Sequence, residues 1–156
     1  MKPGSSPEQG AAEAAVAGAV LFFDGECGLC QRLVRLLLRL DRGARLRYAA
    51  LQSPVAQAYL RRHGLPVADF DSLVFVPDWR RREQREFLVR TAGALAALRV
   101  TGNGPARFAA GVLGLVPERL RDAGYRCVAR VRHRVFGAGQ ERPLDRPEWA
   151  ERFLHG

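Results

Sequence analysis

Residues 20–23 (Val-Leu-Phe-Phe) form an unbroken apolar run with no polar alternation, the pattern of a strand buried on both faces. Residues 28–40 then follow a helical period. Leu33, Leu36, Leu37 and Leu40 fall on one face, and Arg32, Arg35 and Arg39 make the wet stripe. Asp41-Arg42-Gly43 closes that helix, with Gly43 as the expected left-handed terminator. Residues 45–51 alternate charged and apolar positions through Leu46 and Tyr48 and predict a second strand. Ser53-Pro54 is a helix start, serine as cap and proline in the first turn, and that helix runs to about His63 before Gly64 and Pro66. Residues 72–76 and 86–90 predict two more strands, joined across the polar stretch 77–85 as a hairpin. Thr91 is placed to cap a helix over 92–98, and Gly102-Asn103-Gly104-Pro105 breaks the chain again. The remainder reads helical, over about 106–115 and then 118–135 after Pro117. In the last helix Leu120, Val128, Val131 and Val135 form the apolar stripe, and Arg126, Arg130 and Arg134 lie one turn apart on another face.

The order is strand, helix, strand, helix, hairpin, helix, then extra helices. Two leading strands joined by a helix must be parallel, through a right-handed crossover. This predicts a thioredoxin-like α/β domain, a four-stranded mixed sheet with helices on both faces and a C-terminal helical extension from about residue 105. The domain is expected over 19–154, with 1–18 as a disordered tail.

Composition narrows the function classes. At 156 residues and 47% apolar content the chain suits one globular domain. Its uncharged apolar stretches, 109–116 among them, are far short of the ~20 residues a membrane-spanning helix needs. The first eighteen residues lack a dense apolar core, so no secretory signal is expected and the cytoplasm is the expected compartment. The net charge of +9 permits contact with nucleic acid, anionic lipid or an acidic partner. Lys2 is the one lysine, and the arginines are spread along helices instead of clustering with aromatics, so no nucleic-acid binding is expected. Three cysteines, two of them in one C-x-x-C, make no disulfide framework. In a reducing compartment such a pair is catalytic, redox-sensing or metal-binding.

The pair is Cys27 and Cys30, where the first strand hands over to the first helix. Positions three apart on a helix have Cβ atoms ~5–6 Å apart, and a disulfide wants ~3.5–4.5 Å. At a helix start the first cysteine keeps non-helical dihedrals, so the ring can close, and Gly28 is expected to lend freedom there. The thiolate is the nucleophile. Cys27, at the helix N-terminus with its free N–H groups and positive dipole end, is the expected attacker. Cys30, one turn in, is expected to be more buried and to resolve the mixed disulfide. Asp24 and Glu26 act against thiolate formation. A buried Asp24 would either exchange a proton with Cys30 or cap the turn. No cofactor is expected. The partner is a protein disulfide or a low-molecular-weight thiol that the sequence does not name.

Other readings remain. Two thiolates are half of a zinc shell, which Cys127, His63 or His133 would have to complete, and none stands at ligand spacing. The same pair could equally serve a redox-sensing or metal-binding module without turnover. Cys127 is expected to be a buried packing residue, and the three histidines surface residues. Strand-Asp24-Gly25-Glu26 is similar to the aspartyl nucleophile loop of haloacid-dehalogenase-like phosphatases. Those place a second aspartate where Glu26 stands and need a downstream lysine and an acidic magnesium site; Lys2 is the one lysine, and no later acidic pair follows a strand.

The segment Asp24-Gly25-x-Cys27-x-Leu29-Cys30 resembles the signature of the DCC family of predicted thiol-disulfide oxidoreductases, named for an aspartate and two cysteines. Arg39-Leu40-Asp41, Ala50-Leu51-Gln52-Ser53, Asp71-Ser72-Leu73-Val74 and the spaced Tyr125, Ala129, Arg132, Phe136-Gly137 resemble family landmarks in the same order. The resemblance covers about 19–154 and implies a thioredoxin-like fold and a redox role for Asp24, Cys27 and Cys30. There are departures. Relatives carry a cysteine just after Phe-Gly, where this chain has Arg142, and His133 replaces an aromatic beside Arg132. Unlike thioredoxins proper, the chain has Asp71-Ser72 and no proline directly before the third strand.

Overall fold

The computed structural model describes residues 18–101, 104–137 and 147–154. Residues 1–17 of the expected tail at 1–18, residues 102–103 of the expected break and Arg142 lie outside them. The strands are β1 (Ala19–Phe23), β2 (Leu46–Ala50), β3 (Val74–Val76) and β4 (Leu88–Val89). The helices are α1 (Gly28–Leu40), α2 (Pro54–His63), α3 (Arg90–Val100), α4 (Gly104–Gly114) and α5 (Glu118–Phe136). Short 3-10 turns occupy Trp79–Arg81 and Pro147–Arg152.

The sheet order is β2-β1-β3-β4. β1 runs parallel to β2, with Leu21 opposite Tyr48, and antiparallel to β3, with Leu21 opposite Phe75. β3 and β4 form the antiparallel hairpin. This is the mixed, open, helix-flanked sheet of a thioredoxin-like α/β fold.

The unbroken apolar run of β1 has its reason in two cores. Period-two alternation sends Leu21 and Phe23 to one face and Val20 and Phe22 to the other. Leu21 and Phe23 join Leu37, Leu38, Tyr48 and Phe75. Val20 and Phe22 join Leu60, Val76 and an aromatic cluster in which Tyr59 and Trp79 lie 5.4 and 5.7 Å from the Phe22 ring. Ser53 caps α2, its Oγ accepting from the Ala56 N–H, Pro54 opens the helix, and Gly64 ends it at φ 66°.

Several expectations are corrected. The left-handed residue after α1 is Ala44 (φ 52°) and not Gly43. Asp41 closes the helix instead, its carboxylate accepting from the N–H groups of Arg45 (3.2 Å) and Leu46 (2.9 Å). Within α1 the buried face is Val34, Leu37 and Leu38, while Leu36 is about half exposed. Thr91 does not cap α3. Val89 holds the cap position, and the Thr91 hydroxyl donates to Asp122 of α5 (2.5 Å). The C-terminal segment, unassigned from periodicity, returns to the sheet. Phe153 bridges in parallel to Tyr48, and Arg152 pairs with the buried Asp41.

Candidate active site

The last rung of β1 is the Leu51 N–H donating to the Phe23 carbonyl at 2.7 Å, and the chain turns immediately after it. Asp24 builds the turn. Its backbone carbonyl accepts from the Cys27 N–H (3.2 Å) and its Oδ1 from the Glu26 N–H (3.0 Å). Gln52, at the end of the neighbouring strand, fastens the turn from outside. Its Nε2 donates to Asp24 Oδ1 (2.8 Å) and its Oε1 accepts from the Gly25 N–H (3.1 Å). Gln31 Nε2 closes the loop onto the Gly25 carbonyl (2.9 Å). Cys27 thus becomes the N-cap of α1, with extended dihedrals (φ −101°, ψ 119°) and no side-chain capping bond on its sulfur.

Cys30 lies one turn on from Cys27, close enough for the charge of one sulfur to act on the other. Their burial is the reverse of expectation: Cys27 has no exposed surface, and Cys30 is partly exposed. Burial pushes the Cys30 thiol up from the usual 9.0 to about 12, reinforced by the charge of Cys27. Arg132 acts against this, and the charge of Asp24 adds a last upward push.

Arg132 is the residue that periodicity passed over. It is 5% exposed on the inner face of α5. Its Nη1 reaches Cys30 Sγ at 3.6 Å, and its Nη2 reaches Asp24 Oδ2 at 3.2 Å and the Phe70 carbonyl. One guanidinium therefore ties the aspartate, a cysteine and the loop before β3. Tyr125, two turns earlier on the same face, accepts the Leu73 N–H on its hydroxyl (3.3 Å), and desolvation raises its pKa. The spacing Tyr125, Ala129, Arg132, Phe136 was the available signal, since it repeats on one helix face.

Gly28 is required for space and not for freedom. A Cβ there would stand 2.6 Å from the Phe136 carbonyl oxygen, where the end of α5 crosses the start of α1. An open cleft of about 490 Å³ lies beside the turn, lined by Asp24, Glu26, Gln52, Asp69, Phe70 and His133.

The other candidates do not converge on the pair. Cys127 is exposed on α5 and not packed inside. His63 is buried, not at the surface. It stacks on Tyr59 at 4.3 Å with its Nε2 2.7 Å from the Arg82 carbonyl. Among the described residues no group of three His, Cys, Asp or Glu could hold a metal ion.

A thioredoxin-like sheet with a C-x-x-C at the carboxyl end of its central strand defines the class of the molecule. The family model described as DCC1-like thiol-disulfide oxidoreductase matches residues 21–138, and the chain belongs to that family. It is 33% identical over 135 residues to the uncharacterized protein YuxK of Bacillus subtilis, covering 86% of this chain and 93% of that one. It is 30% identical over 118 residues to a chloroplastic DCC family protein of Arabidopsis thaliana, covering 76% of this chain and 64% of that one. No solved structure matches.

Proposed function

We propose that this protein exchanges a Cys27–Cys30 disulfide with protein disulfides or small thiols. The observation that carries the reading is the neighbouring pair of free thiols at the start of α1, with the Arg132 guanidinium on Cys30 and Asp24. In the reducing direction the Cys27 thiolate attacks one sulfur of a substrate disulfide. One substrate thiolate leaves and takes up a proton, and a mixed disulfide remains on Cys27. Cys30 then loses its proton and attacks Cys27 Sγ, releasing the second substrate thiol and closing the Cys27–Cys30 disulfide. The substrate gains two electrons and the protein loses two; a donor dithiol reverses the last state.

Each neighbour has a part in this. Cys27 stands at the N-cap of α1, the end of the helix that carries its free N–H groups. Arg132 lowers the cost of the Cys30 thiolate, which burial makes high, when resolution requires it. Asp24 holds the turn and shares Arg132. Because Cys27 has no exposed surface, a partner sulfur reaches it only when the groups covering it move. Three cysteines without a disulfide framework fit work in the cytoplasm.

Cysteine variants test the scheme. Cys27→Ser is expected to abolish disulfide reduction, and Cys30→Ser to trap a mixed disulfide visible by mass. Full turnover in either variant contradicts it. A mixed disulfide trapped in Cys27→Ser instead would move the attack to the more exposed Cys30.

A further inference from the structure

The apolar stripe of α5 faces outward. Leu120 and Val135 are each 67% exposed, and Val128 and Val131 lie exposed between them. α4 adds Phe108 at 75% exposure, and the turn after it Leu115 at 84%. A row of exposed apolar side chains along one helix face is the kind of surface that marks an interaction site. Segments outside the described residues offer little to cover it: their large aliphatic side chains are Met1, Val16 and Leu144.

Charge identifies the occupant. At 100° per residue, Arg119, Arg126, Arg130 and Arg134 fall on the strip next to the apolar one, and all four are exposed. None of them forms an ion pair among the described residues. The carboxylates of α4 and α5 are Glu118, at the start of α5, and Asp122, which is turned inward onto Thr91. An apolar strip therefore runs beside an unneutralised arginine strip along a helix of 19 residues, about 28 Å long. That arrangement suits a helix lying in a bilayer interface, with apolar side chains among the acyl chains and cations at the headgroup phosphates. A second copy would bring another arginine strip to the contact and leave both without counter-charges.

We propose that the outer face of α4 and α5 docks reversibly on an anionic lipid surface. This inference is independent of the redox reading. Contact is peripheral, since no helix among the described residues is long and apolar enough to cross a membrane.

The test is co-sedimentation of the full chain with vesicles of phosphatidylglycerol and phosphatidylcholine in equal parts, against phosphatidylcholine alone. The protein is expected to pellet with the anionic vesicles only and to be released by added salt. An arginine near an anionic surface is worth about fivefold in partitioning, so reversing Arg126, Arg130 and Arg134 to Glu together should weaken binding about a hundredfold or more. Phe108→Ser, Leu115→Ser and Leu120→Ser combined should also release the protein, with an unchanged melting temperature because all three side chains are exposed. Absence of pelleting at low salt, equal pelleting with neutral vesicles, or retention by the serine variant overturns the proposal. So does a stable dimer in sedimentation equilibrium that the serine variant abolishes, which would assign the face to a second copy.

Discussion

Cys30 is held between opposing influences: burial and Cys27 push its thiol up to about 12, and Arg132 pulls it down. Two consequences can be measured by alkylation against pH, following Cys30 by peptide mass. In Cys27→Ser the neighbouring sulfur's charge is gone, so the Cys30 profile should move down toward the usual 9.0. In Arg132→Met the favourable charge is gone, so the profile should move further up. An unmoved profile in both variants would mean that neither neighbour touches Cys30 electrostatically. The linkage has a definite sign. A thiol raised in the folded state contributes stability that is fully present below its unfolded value of 9.0 and is lost as pH rises through about 12. Denaturant midpoints should therefore fall across that alkaline window, and fall less in Cys30→Ala. Of these residues, Asp24, Cys27 and Cys30 were legible as a motif. Gln52 and Arg132 were not legible as partners, because their roles depend on contacts to residues far away in the chain.

At the scale of elements, periodicity told helix from strand well and told faces apart less well. β1 could be read because a strand covered on both sides has no polar position. α2 could be read because Ser53, Pro54 and Gly64 act locally. α5 shows where such reasoning ends. Its apolar stripe was plain, but a stripe says only that one face differs from another. Tyr125 and Arg132 face the domain instead: Arg132 reaches Cys30 and the Phe70 carbonyl, and the Tyr125 hydroxyl accepts the Leu73 N–H. β4 spans only Leu88–Val89, shorter than the 86–90 its pattern predicts, because no local signal marks its ends. The α1–α5 crossing yields a prediction of its own. Gly28→Ala places a Cβ 2.6 Å from the Phe136 carbonyl oxygen, so the end of α5 must shift. Overpacking of this kind costs ~1–3 kcal/mol. Thermal melting should show the loss, and hydrogen exchange should be faster at the end of α5 and around Cys27. Unchanged exchange there would contradict the close packing.

For the whole molecule, a second buried ion pair fastens the C-terminal turn to the sheet. Asp41 is 1% exposed and accepts from the Leu46 N–H (2.9 Å) and from Arg152, whose Nε also donates to the Leu46 carbonyl (3.2 Å). Removing one partner leaves the other charge buried alone, so Asp41→Ala should cost ~3–5 kcal/mol in denaturant unfolding. A loss below 1 kcal/mol would mean that Arg152 escapes to water. Composition indicated a globular domain without a membrane-spanning helix, yet the tie from Arg152 to Asp41 spans most of the chain and leaves no local pattern. Whether Cys27 and Cys30 form a working dithiol is decided by a redox titration, read by mass after alkylation, against glutathione and dithiothreitol buffers. A reversible two-electron transition that disappears in Cys27→Ser is expected. Two thiols that stay reduced across the whole range, or a transition that survives in Cys27→Ser, would contradict it.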